Sequence, residues 1–319
     1  MALTERIAHV LGVSSEEIDF LGRLDSDTLR ALHSQIVELL FDPAQSRMGG
    51  LQNAAKILPP PVTAKVAEKA LGPVLAGRIA GSLDTGSSVA IARRLPPEFL
   101  ADVAGHVHPQ RVEVLVRDLP SRQLDAAADV LIERHDLLAL GHFAGIIRPD
   151  TLQSIVSRLD ASVILDVVPY IEPAARVDDL IELVENPVLL SVLRTAHDNT
   201  RWLDAFDLVD LLNVLSRTRV AELSVPESDL IDGAVRAAAE WDRWPALLSF
   251  ASLASGVPAK HWKDIDSFGD PEIIGAAIEG AARHDLWDPL ALLVTLWPAV
   301  MRRKIGPTID SEYRARLGL

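Results

Sequence analysis

At 319 residues with 49% hydrophobic side chains, the chain is long enough for a continuous core in one elongated domain or two compact ones. Its 45 acidic against 31 basic side chains give a formal charge of −14, a field that repels phosphate backbones and anionic headgroups, so nucleic acid is not an expected partner. The absence of cysteine leaves no disulfide framework and no thiolate chemistry, which fits a cytoplasmic protein.

The first twenty residues, MALTERIAHVLGVSSEEIDF, carry glutamates where a secretory signal needs an uninterrupted apolar core, so export by that route is not expected. Residues 1–50 contain the amphipathic segments TERIAHVLG and DSDTLRALHSQIVELLF and are predicted to form an N-terminal helical cap. The segment SRMGGLQNAAKILPPPVT follows, and its Gly49-Gly50 pair and Pro59-Pro60-Pro61 run predict a hinge, because three prolines cannot continue a helix.

Between residues 84 and 183 the sequence divides into steps of twelve: DTGSSVAIARRL, PPEFLADVAGHV, HPQRVEVLVRDL, PSRQLDAAADVL, RPDTLQSIVSRL, DASVILDVVPYI and EPAARVDDLIEL. Each opens on turn or cap residues, often with proline second (Pro97, Pro109, Pro149, Pro173), where its missing N–H costs a helix nothing. The fifth, eighth and twelfth places are mostly apolar, as in Val112, Leu115 and Leu119, a spacing that predicts one buried helical face per step. A helix so short cannot bury its own stripe, but a stack of them can, so residues 51–190 are predicted to be a solenoid-like superhelix.

The segment PPEFLADVAGHVHPQRVEVLVRDLPSRQLDAAADVL, with its succession of proline-started short helices, resembles the cytosolic N-terminal domain of MgtE-type magnesium transporters. The resemblance covers about residues 84–184 and extends more loosely to the helical repeats of FliG-type flagellar motor-switch proteins. It implies a right-handed stack of short helices, with magnesium sensing as the associated property. The sequence contains neither the membrane spans nor the alternating strands and helices of the regulatory domains that accompany that domain, so transport by this polypeptide is not expected, and no functional residue is carried across.

Beyond residue 190 the period lengthens. LLSVLRTAHDNTRWLDAFDLVDLL, LIDGAVRAAAEWDRWPALLSFASLA and IIGAAIEGAARHDLWDPLALLVTLW each read as two helices joined at a His-Asp or Trp-Asp, as does LDAAADVLIERHDLLALGHFAGII at Leu124. Residues 191–319 are therefore predicted to be C-terminal helical hairpin repeats, with further breaks at 224–228 and 256–269. The longest nearly uncharged run, PLALLVTLWPAVM, is shorter than the roughly 20 residues that cross a bilayer, so no membrane span is expected. No alternating Val/Ile/Thr segment occurs, and the expected class is all-α.

The pairs His135-Asp136, His197-Asp198 and His284-Asp285 have the composition of metal-hydrolase ligands. Their recurrence at hairpin elbows, with Trp241-Asp242 in the third copy, favours a structural role: Asp136, Asp198, Asp242 and Asp285 are expected to cap the following helices. Asp178, Asp179 and Glu182 match half of an aspartate-rich magnesium site but have no second acidic motif, and a solvated face is the simpler reading. All six tryptophans lie beyond residue 200, and Trp202, Trp244, Trp262 and Trp287 are candidates for a partner-binding surface, against the alternative that they fill gaps between repeats. The basic cluster MRRKIGP, residues 301–307, suits a helix C-terminus.

No Gly-rich phosphate loop, nucleophile elbow or H-E-x-x-H is present, so neither a catalytic residue nor a cofactor or metal ligand is assigned. The composite expectation is a non-catalytic cytosolic scaffold or regulatory adaptor that binds a protein partner. A metal-dependent hydrolase or isoprenoid-type enzyme, and a magnesium-responsive module, are the alternatives.

Overall fold

Proline in the second place of a step starts a helix at Pro97, Pro109 and Pro149, while Pro173 lies outside the described residues. A computed structural model of the chain describes residues 4, 7–8, 11, 13–24, 28–29, 31–32, 35–36, 57–81, 83–171, 176–250, 253, 265–296, 302–303, 306–309 and 311–318. Among these residues there is no strand, and the fold is all-α. The chain forms two compact units, one of residues 1–159 with 166–173 and one of residues 160–165 with 174–319. Residue 190, where the change of period suggests a boundary, falls inside a helix, Asn186–Asp198.

In the first unit, α1 (Pro60–Val66) and α2 (Gly72–Ala80) lead into α3 (Thr85–Ala92), α4 (Pro97–Ala104), α5 (Pro109–Asp118), α6 (Ser121–Glu133), α7 (Leu137–Ala144) and α8 (Pro149–Val156). The triple proline therefore begins a helix rather than a hinge loop, with Pro59 as N-cap and Pro60 and Pro61 in the first turn, where no donor is lost. The residues from 46 to 56 lie outside the described residues, as do most of 1–50. Four N-terminal apolar side chains, Ile7, Ala8, Ile18 and Leu29, form a small buried cluster.

Helices α3, α4, α5, α6 and α8 each begin at the second place of a twelve-residue step, so the step boundary is the N-cap. Asp84 fills that place by accepting a hydrogen bond from Ser87 N at 2.9 Å. Alternate helices pack on one another, α1 on α3 on α5 and α2 on α4 on α6 on α8, while α7 packs on its neighbour α6. The buried face is not always the expected one. In α5 and α8 Val112, Leu152 and Ile155 are buried, but in α4 the deep positions are Phe99 and Ala101, while Leu100, Val103 and Val107 stay half-buried. A helix touched on two sides buries more than one stripe.

Long side chains close the joints of this unit by satisfying the carbonyls that a short helix leaves unpaired at its C-terminus. Gln123 Nε2 donates to Ala92 O at 2.7 Å, and Arg148 donates to Arg117 O at 2.6 Å and to Ser121 Oγ at 2.6 Å. Arg158 bridges to Asp125 and Asp129 at 2.9 and 2.6 Å.

Helix α9 (Ala161–Val167) runs from residues of the second unit into residues of the first. The second unit then continues through α10 (Arg176–Leu183), α11 (Asn186–Asp198), α12 (Trp202–Leu211), α13 (Val214–Ser224), α14 (Ser228–Trp241), α15 (Trp244–Leu248), α16 (Pro271–His284), α17 (Trp287–Leu296) and α18 (Ser311–Leu317). Helix α11 packs on α14 and α14 on α16, while α12 packs on α15 and α15 on α17, which gives two rows of hairpin arms. The core between them is built from small and large residues together, with Ala196, Ala238 and Ala281 fully buried beside Trp244, Leu248 and Leu290. Asp232 of α14 ties in the 3₁₀ turn Asp266–Gly269 by accepting from Ser267 N at 2.6 Å and from Arg236 Nε at 2.7 Å.

Candidate functional site

Four hairpin elbows share one backbone geometry, and it does not follow the His-Asp dipeptides. His135, Thr200, Asp242 and Asp285 occupy the left-handed region, with φ of 54°, 55°, 53° and 53°. In each case the next N–H reaches back five residues: Asp136 to Leu131 O, Arg201 to Ala196 O, Arg243 to Ala238 O and Leu286 to Ala281 O, at 2.7 to 3.1 Å. This is the six-to-one bond of a Schellman ending, made without glycine. The second arm starts two residues after the left-handed one, at Leu137, Trp202, Trp244 and Trp287.

The expectation that Asp136, Asp198, Asp242 and Asp285 all cap the following helix is therefore corrected for three of them. Asp136 Oδ1 accepts from Ala139 N at 3.1 Å and caps α7. Asp198 is the last residue of α11, and the N-cap of α12 is Arg201. Asp242 and Asp285 end α14 and α16 from the left-handed position, which Asp tolerates better than most side chains. The dipeptide falls one place differently at His135 and two places differently at His197, so its repetition is not the repeat. The repeating pattern is buried Ala, three residues, the left-handed residue, one residue, Trp: AHDNTRW from Ala196, AAEWDRW from Ala238 and AARHDLW from Ala281.

The tryptophan of that pattern is a packing element. Trp244 is 1% exposed and Trp202 9%. A Cβ at Gly280 of α16 would lie 2.6 Å from Trp244 Cγ, and one at Gly233 of α14 would lie 2.9 Å from Trp202 Cζ2, so each ring sits in a glycine notch on the next hairpin. Trp287 of the last hairpin is covered by α18, stacked on Tyr313 at 5.0 Å between ring centres with the Arg316 guanidinium 5.1 Å from its ring centre. Trp202 and Trp244 are thus core residues, not a partner-binding surface, because the second arm starts with its first side chain turned towards the next repeat. Trp262 lies outside the described residues.

Charged contacts join neighbouring elbows. Arg283 Nη1 is 2.6 Å from Asp242 Oδ2, and His284 Nε2 is 3.4 Å from the same oxygen. Arg243 reaches Asp207 and Asp210 at 2.6 and 2.9 Å. The acidic segment of α10 is also structural in its contacts: Asp178 accepts from Asn213 N at 2.9 Å and Asp179 pairs with Arg176 at 2.6 Å, while Glu182 is exposed. Among the described residues no three His, Cys, Asp or Glu side chains come together as metal ligands. Arg302 and Arg303 of the basic cluster are described, but the cluster as a whole is not.

No family model, curated protein or solved structure matches this chain. Among the described residues no helix is long and apolar enough to cross a membrane.

One surface in the second unit departs from the rule that exposed helix starts are polar. Between α12 and α13, Leu211 is 38% exposed, Val214 65% and Leu215 73%. Val214 and Leu215 are the first two residues of α13, held there by the Asn213 cap, whose Oδ1 accepts from Ser216 N at 3.0 Å. Around this apolar corner stand Asp178, Asp207 and Asp210, the last two both paired with Arg243, while Arg217 donates to the Asp210 carbonyl. Burial raises the Asp210 carboxyl above the usual carboxylate range, with Asp207 adding to the rise and Arg243 and Arg217 opposing it. In the sequence, LLNVL reads as a buried segment. The available signal is an N-cap Asn followed by two apolar residues in a first turn that favours acidic or polar ones.

Proposed function

We propose that this protein is a non-catalytic, cytosolic scaffold or regulatory adaptor that binds a protein partner at the α12–α13 corner. The observation that carries the reading is the exposed trio Leu211, Val214 and Leu215 beside the carboxylates of Asp178, Asp207 and Asp210. Such a surface takes a partner with apolar anchor side chains flanked by basic residues, since clustered exposed apolar side chains gain most by burial and the acidic surround selects by charge. The packing of alternate helices from α1 to α8 supports a solenoid-like stack that presents an extended surface. Among the described residues no group of carboxylates or imidazoles comes together in support of the hydrolase or the magnesium-responsive alternative.

The test is affinity capture from the native host with the wild-type chain and with the variant Val214→Asp/Leu215→Asp. Acidic residues suit the first turn of α13, so this variant keeps its fold while removing the anchors. A protein retained by the wild type and lost with the variant supports the reading, and an identical captured set with both overturns it.

A further inference from the structure

The core of the second unit is not completely filled. A cavity of about 80 Å³ lies where α12, α13, α14, α15 and α17 converge, and its wall includes Trp202, Phe206, Val220, Ile231, Phe250 and Phe268. Ala205, Ala221 and Ala234 border the same space, and their single methyl groups leave it open. Among the described residues no charged side chain lines it, and their one hydroxyl, Ser224 Oγ, already donates to Ala221 O at 3.3 Å. A water molecule needs two to four polar partners to be held in such a space, and this wall does not offer them. A void that is dry and larger than a methyl group leaves its wall without dispersion partners on one side.

We propose that this cavity is a binding site for a small uncharged apolar ligand, of the size of a short alkyl chain. The chemistry of the wall excludes an anion, a sugar or a metal ion, each of which would enter without a compensating hydrogen bond or charge. Size narrows the class further: the space is about half of the roughly 150 Å³ known to hold a benzene ring, so it takes a molecule smaller than benzene, such as a two- or three-carbon alkyl group. The site is independent of the partner surface, because its wall contains none of Leu211, Val214 and Leu215.

The experiment uses the full chain with methyl-labelled Val, Leu and Ile, titrated with xenon under pressure and then with propane. Saturable shifts confined to Val220, Val225, Leu230, Ile231 and Leu247, with xenon displaced by propane, are expected. The filled variant Ala221→Leu should abolish both responses. If that variant does not fold, Ala234→Val reduces the same space and should weaken them at least several-fold. The proposal is overturned by unshifted lining methyls, by shifts spread over surface methyls, by failure of propane to displace xenon, or by responses unchanged in the filled variant.

Discussion

The residues that shape this protein most are those with least side chain at the points of closest approach. A methyl added at Gly280 meets the Trp244 ring, and one added at Gly233 meets both His197 and Trp202. Gly280→Ala and Gly233→Ala are each expected to cost about 1–3 kcal/mol by overpacking. At Gly275 of α16 an added methyl would meet nothing within 4 Å, so Gly275→Ala should instead stabilise by about 0.5–1 kcal/mol through helix propensity. Urea unfolding of the three variants checks the signs, and a destabilised Gly275→Ala or an unaffected Gly280→Ala contradicts the notch. Thr200 is the other strained place, a β-branched residue at φ 55°. Thr200→Gly is expected to stabilise the chain by about 1 kcal/mol, read as a raised urea midpoint at constant slope.

At the scale of elements, start points were legible because proline and cap residues act locally, while faces and elbows were not. The steps at Asp84, Pro96, His108, Pro120 and Arg148 are N-caps in fact. Yet the choice of Phe99 over Leu100 depends on which neighbours α4 touches, and no local pattern encodes that. The elbows do not follow the His-Asp dipeptides, because the left-handed place is held by His135, Asp242, Asp285 and even the strained Thr200. The contact of α14 with the Asp266–Gly269 turn makes a pH prediction. Burial alone would raise the Asp232 carboxyl, but hydrogen bonds from Arg236 and Ser267 outweigh it and hold it below its ordinary 3.8. A lowered folded-state value gives stability that is present above 3.8 and lost as pH falls through the folded value. Asp232→Asn should therefore cost about 1–3 kcal/mol at pH 7, and the difference from wild type should shrink below pH ~3.8. Asp210 has the opposite sign: its raised value gives stability present below 3.8 and lost as pH rises through the folded value. Asp210→Asn is thus expected to be neutral or stabilising at pH 7, and thermal melts across pH 3–7 distinguish the two behaviours.

For the whole molecule, two compact units and a tryptophan set confined to residues beyond 200 allow the units to be followed separately. Chains with more than one cooperative unit depart from two-state unfolding. Denaturant curves followed by tryptophan fluorescence, which reports the second unit, and by far-UV circular dichroism, which reports both, are expected not to coincide. Superimposable curves would show one cooperative unit instead. The net charge of −14 and the sequence isoelectric point near 5.1 place the solubility minimum of the folded chain near pH 5, where mutual repulsion vanishes.

The sequence by itself determined the helical class, the twelve-residue steps and the hairpins, because helix period, proline placement and capping are interactions within a few residues of chain. Only the tertiary structure decided that Trp202 and Trp244 are core, that Asp242 and Asp285 end helices rather than begin them, and that Leu211, Val214 and Leu215 are exposed. Those outcomes depend on which helix lies across from which, and an apolar side chain carries no mark of whether its neighbour will be protein or water.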